Sequence, residues 1–241
     1  MHSLCRRLFL FTSISITCLA FGMLPHVLAA DTPLKPNERI LFLGDAITQN
    51  GEAPNGFLSL MKGELAKTEK FNKVTIIGAG VKGDKVPDLE SRLEKDVISI
   101  KPSVVVVFIG ANDVWHPKSG MGTKKDIYED GLRRIVRRIT AGGARVILCT
   151  PATLGEKVDG TNPLDEMLEV YCEINRKVAA DTKSQLLDLR KAFIEYLKKK
   201  NLQNEEKGIL TTDGVHLNEL GNRFVGLKMM EAIGALGTPS K

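Results

Sequence analysis

Aromatic side chains are scarce in this chain: nine Phe, three Tyr and one Trp stand among 241 residues. A protein that holds single-stranded nucleic acid by stacking bases needs more of them, and that class is set aside. Metal ligands are equally thin. There are four Cys and four His, no CxxC and no HExxH, so neither a metal nor another cofactor is expected. Charge of one sign is lacking too. The formal +5 includes Arg6 and Arg7, which lie in the first thirty residues with no acid beside them. Beyond residue 30, 32 basic side chains face 29 acidic ones, a net +3 spread along the chain. That balance gives no grip on nucleic acid or on an anionic membrane. Repeats, low-complexity tracts and linker-like composition breaks are absent as well. What is left, 43% hydrophobic and 26% charged, is the mixture of an ordinary globular domain of this length.

The first thirty residues read differently from the rest. A basic start at Arg6 and Arg7 leads into an apolar stretch from Leu8 to Leu24, broken only by Ser, Thr and small residues. It ends on Val27-Leu28-Ala29-Ala30, small residues of the kind a signal peptidase accepts. Residues 1–30 are therefore expected to be a signal peptide cleaved near Ala29-Ala30, leaving 31–241 as a single secreted or periplasmic domain with no stable membrane insertion. An uncleaved anchor is the alternative, because the apolar run approaches the length of a spanning helix. After cleavage two cysteines remain. Cys149 ends the apolar run Arg145-Val-Ile-Leu-Cys and reads as a core residue, which makes a bridge to Cys172 the lesser reading.

Apolar runs alternate with helical patterns along the domain. Strands are expected at Arg39–Leu43, Val74–Ile77, Val104–Ile109, Arg145–Cys149 and Leu186–Leu189. The third, VVVVFI, is β-branched and apolar throughout, as a strand buried on both faces requires. From Asp126 to Ala141, the residues Ile127, Gly131, Leu132, Ile135 and Ile139 recur at helical spacing. Arg133, Arg134, Arg137 and Arg138 lie off that face. Glu129 and Asp130 precede the first two by four residues, which predicts a salt-bridged solvent face rather than an anion site. A last helix is expected over about Leu217–Ile233. Strands joined by helices of ten or more residues imply right-handed crossovers and a mostly parallel sheet. The fold class expected is α/β: three layers, α/β/α, around a doubly wound, flavodoxin-like sheet of five strands. In such sheets chemistry gathers beyond the carboxyl ends of the strands.

Four blocks stand there. Gly44-Asp45-Ala46-Ile47-Thr48 follows the first strand, and Gly78-Ala79-Gly80-Val81-Lys82-Gly83 follows the second. Gly110-Ala111-Asn112-Asp113 follows the third, and Thr212-Asp213-Gly214-Val215-His216 precedes the last helix. In this order the blocks resemble the SGNH hydrolases, the GDSL esterase and lipase family. The resemblance implies an oxyanion hole from Gly83, Asn112 and the N–H at position 46, and an Asp213–His216 pair. It departs at one place: where the family pattern has serine, this chain has Ala46. Thr48 is two residues on, on another heading, and is not expected to replace the lost hydroxyl.

The same roles follow from chemistry. Ester hydrolysis through a nucleophile needs a base, a group orienting the base and donors aimed at the developing oxyanion. His216 with Asp213 three residues before it suits the first two roles, and Gly83 and Asn112 suit the third. Asp45 reads as a loop-building residue, and Trp115 and His116 as a substrate rim. The resulting expectation is an ester hydrolase scaffold for acyl or acetyl esters, carbohydrate-linked ones included, that binds better than it turns over. A protein that binds carbohydrate or ester without cleaving it is the alternative. Residues 78–83 also spell GxGxxG, but Pro87 delays the next helix and no acid follows about 20 positions on, which disfavours a dinucleotide-binding oxidoreductase.

Overall fold

The computed structural model describes residues 32–115 and 122–236. Residues 1–31 and His116 lie outside them, so the expected leader and half of the expected rim are not described. Five strands, β1 (Arg39–Gly44), β2 (Thr75–Gly80), β3 (Val104–Phe108), β4 (Arg145–Cys149) and β5 (Gln185–Leu187), form one sheet in the order β2-β1-β3-β4-β5. Every neighbouring pair is parallel. The apolar character of β3 explains its central place: all five residues are buried, as are the last five of β1.

Helices α3 (Val86–Asp96), α5 (Lys125–Ala141) and α6 (Asp165–Thr182) pack in that order over one face of the sheet. On the other, α2 (Phe57–Ala66) packs against α8 (Glu219–Ala232), and α7 (Leu189–Lys200) meets α8 through the Phe193–Phe224 ring pair, 5.4 Å apart. This is the three-layer α/β fold expected. No helix of the described residues is long and apolar enough to cross a membrane.

Four details depart from the sequence reading. β2 runs on to Gly80 and so takes in the first glycines of the second block. Ile127 of α5 is exposed, and Tyr128 takes the core position. A tyrosine can be buried there because its hydroxyl donates to Asn175 Oδ1 at 2.8 Å and its ring meets Tyr171 edge-on. Arg134 pairs not with Asp130 but with Glu90 of α3, at 2.6 and 2.9 Å, and Arg138 reaches Glu94 of the same helix. The face is salt-bridged as expected, with partners mostly across the helix–helix seam. β5 stops at Leu187, because Asp188 caps α7 by accepting from Lys191 N and so claims Leu189 for the helix. Cys149 and Cys172 are both buried and both free.

Candidate active site

Strand order 2-1-3-4-5 places the topological switch between β1 and β3. From there the chain leaves in opposite directions, and a crevice opens at the carboxyl end of the sheet. A cleft of about 240 Å³ lies at this end, lined by Asp45, Ala46, Ile47, Lys82, Gly83, Ala111, Asn112, Val215 and His216. Four chain segments converge on it, one after each of β1, β2 and β3 and one before α8. Of the residues singled out from sequence, Ala46, Gly83, Asn112 and His216 meet here, and Asp213 stands behind His216. Trp115 is the last residue of the short helix α4 (Ala111–Trp115) that carries Asn112.

Ala46 opens α1 (Ala46–Asn50), where a helix leaves its first N–H groups without intrahelical partners. Asp45 caps this helix, accepting from Ile47 N at 2.9 Å. It is 3% exposed, and burial pushes its carboxyl up to about 7. The Ile47 amide and His216 oppose that rise, while nearby Asp113 adds to it. Asp113, also pushed up by burial, reaches about 6 against the pull of Thr123 and of Val86 N.

Gly80, which ends β2, and Gly83 in the turn beyond it serve packing and turning. A Cβ on Gly80 would collide with Gln49 N of α1, so the helix can lie this close to the strand only over glycine. Gly83 turns at φ +86, and its N–H meets no acceptor among the described residues. Helix α3 opens only at Val86, outside the glycines, where the dinucleotide fingerprint would need it inside. Asn112 donates from Nδ2 to Asp84 O at 3.0 Å and leans on Asp45 Oδ2 at 3.4 Å, the weaker of the two contacts.

His216 Nδ1 lies 2.7 Å from Asp213 Oδ2. Asp213 Oδ1 accepts from Val215 N and His216 N, so its carboxylate is oriented by the turn it sits on. Burial raises this carboxyl, but the His216 ring and the two amides outweigh burial and hold it below the usual range. An ionised carboxylate at Nδ1 fixes the proton there and leaves Nε2 as the basic nitrogen. Thr48 is fully buried, with its hydroxyl turned onto Gly44 rather than into the cleft.

Sequence reasoning passed over two supports. Arg92 of α3 donates to Asp84 at 2.7 Å and to the carbonyls of Gly44 and Ala79 at 2.9 Å, tying the ends of β1 and β2 to the Gly83 turn. Its signal is weak: it is one of two basic residues, with Lys95, on the helix that follows a strand-end block. The other is Glu156, beyond the end of β4, the one neighbouring strand end whose residues carried no familiar block.

A profile of the GDSL-like lipase/acylhydrolase family matches residues 42–224. The chain belongs to that family. Within it, the chain is similar to an acetyl xylan esterase of known structure, AlAXEase, with 43% identity and a TM-score of 0.79 over 81% of this chain and 99% of that one. The acetylxylan esterase of Geobacillus stearothermophilus is 29% identical over 82% of this chain and 94% of its own length. The isoamyl acetate-hydrolyzing esterase 1 homolog of Mus musculus is 28% identical over 79% of each chain. These relatives are carboxylic ester hydrolases by name, and the family's fold is the one described above.

Proposed function

We propose that the cleft is an acetyl ester site for carbohydrate-linked substrates in which residue 46 occupies the nucleophile position, so that the chain with Ala46 binds its ester and turns it over poorly. The observation that carries this reading is the 2.7 Å Asp213–His216 pair opening onto the same cleft as the first N–H of α1. The acetyl preference is supported by the cleft's small volume, by its walls of Ile47, Ala111 and Val215, and by the acetylxylan esterase relatives. Trp115 and His116 are proposed as its rim.

With serine at position 46 the residues would act in sequence. The hydroxyl oxygen attacks the acetyl carbon while its proton passes to His216 Nε2, and Asp213 steadies the imidazolium. The carbonyl oxygen, now negative, accepts from the N–H groups of residues 46 and 83 and from Asn112 Nδ2, which gives up its long contact with Asp45 to do so. His216 returns the proton to the departing sugar oxygen, and water then repeats the sequence to release acetate. With Ala46, binding and the oxyanion donors persist but no protein hydroxyl is in place. By the same reading residues 1–30 are a cleaved leader and 31–241 a secreted or periplasmic domain, needing no cofactor, nucleic acid or membrane.

The test compares the chain with Ala46 and its Ala46→Ser variant on acetylated xylo-oligosaccharides and a panel of short acyl esters. Turnover should rise on the order of 10³-fold or more, and adding His216→Ala should remove the gain. A folded Ala46→Ser protein inactive on the whole panel would instead favour the non-catalytic binding protein, the reading that Ala46 itself supports.

A further inference from the structure

Glu156 is an acid with no exposed surface. No cation among the described residues pairs with it. Four donors converge on its carboxylate instead: Oε1 accepts from Leu210 N at 2.7 Å, Thr211 N at 2.6 Å and the Thr211 hydroxyl at 2.9 Å, and Oε2 from Ile209 N at 2.7 Å. A carboxylate taken out of water without a counter-charge is costly unless such donors replace its hydration. The cost therefore selects one arrangement of the backbone at 209–211, the one in which all four donors point at the acid.

The bonds continue from there towards the cleft. Thr211 Oγ1, donating to Glu156, accepts from Gly214 N at 3.0 Å, and Gly155 N donates to Gly214 O at 2.8 Å. Gly214 N belongs to the peptide plane shared with Asp213, and Gly214 O to the plane shared with Val215. Pinning both planes fixes φ and ψ of Gly214, which lies between Asp213 and His216, and so constrains the spacing of the two side chains. Thr212 N, donating to His216 O at 2.8 Å, closes the loop. Asn201, itself buried, donates to the Glu156 carbonyl at 2.8 Å and so holds the other end of the chain of bonds.

We infer that Glu156 is a positioning residue for the Asp213–His216 pair, acting through the Thr211 hydroxyl and Gly214. The inference rests on the proposed role of that pair as orienting acid and base. Glutamine is a poor substitute at 156, since in either orientation its NH₂ group meets a backbone N–H and leaves a buried donor unpaired.

The Ala46 chain allows a test without turnover: the low-field ring N–H proton that NMR detects when the His216 Nδ1–H is held by a carboxylate, assigned as the signal lost in His216→Ala. The other charged groups facing the ring, Asp45 and Lys82 of the cleft, are unaltered in every variant used. Asp213→Asn should remove the low-field position of this proton. Thr211→Val, which removes only the relaying hydroxyl, should move it upfield and broaden it, and Thr211→Ser should keep it in place. Glu156→Gln should move it at least as far as Thr211→Val; if that variant fails to fold, Thr211→Val decides. In the Ala46→Ser background Thr211→Val should cut kcat about tenfold and leave KM within about twofold. Asn175→Ala, a buried change elsewhere, should lower Tm without moving the proton. A folded Thr211→Val protein with the proton unmoved, beside an Asp213→Asn that loses it, overturns the positioning role alone. A proton unmoved in Asp213→Asn overturns the base assignment and this inference with it.

Discussion

At the scale of single residues, Asp45 gives the molecule a dependence on pH. Its carboxyl titrates near the ordinary 3.8 in the unfolded chain and at about 7 in the fold, burial being the main cause. Between those values the folded state keeps a proton that the unfolded state has lost, so stability declines as pH rises through that window. Asp113, pushed up to about 6, acts in the same direction. Asp45→Asn can still cap α1 by accepting from Ile47 N, but has no charge to bury. Thermal unfolding from pH 4 to 8 should therefore be flatter in that variant, and at pH 8 it should be more stable than the unaltered chain by on the order of 4 kcal/mol. Equal slopes for the two proteins would show that Asp45 is ionised at no such cost. The motif residues were legible at this scale because their types are few and their spacing short. Glu156 and Arg92 were not, because a buried acid clamping distant amides and a guanidinium bridging two strand ends leave no local pattern.

At the scale of elements, α5 separates contacts that matter from contacts that do not. Arg134 and Glu90 form a bidentate pair, but the arginine side chain is 52% exposed, and such pairs contribute little. Tyr128 is fully buried and its hydroxyl supplies Asn175 with a donor. Tyr128→Phe should cost about 1–2 kcal/mol in chemical denaturation, and Arg134→Ala should cost less than that. The reverse order would mean that the seam between α3 and α5, not the core beneath it, holds this helix. The same helix shows why sequence placed the elements well and one face imperfectly. Periodicity finds the helix from Leu132, Ile135 and Ile139, yet at its first turn Ile127 and Tyr128 compete. Hydrophobicity alone favours isoleucine, while the hydrogen bond waiting at Asn175 favours tyrosine. Likewise the sequence carries β5 two residues too far, to Leu189, because Asp188 is held at the cap of α7 by Thr150 and Arg176, which are distant in sequence.

At the scale of the whole molecule, the parallel topology was readable from alternation alone, since five apolar runs separated by helices admit few other arrangements. The crevice followed from strand order, and so did the meeting of segments that lie far apart in sequence. Export is the expectation that belongs to the full chain: protein recovered from a secreting host should begin between Ala29 and Thr32 by N-terminal sequencing, and an intact residue 1 would indicate an anchor. Residue 46 itself carries a broader consequence. Its main-chain N–H is held in place by Asp45 and the turn of α1, whereas its side chain, a single methyl group, lines the cleft. Under the proposed function, folding and chemistry thus depend on different atoms of one residue. On that reading a single substitution adds or removes the reacting oxygen while the backbone donor and the rest of the architecture stay as they are.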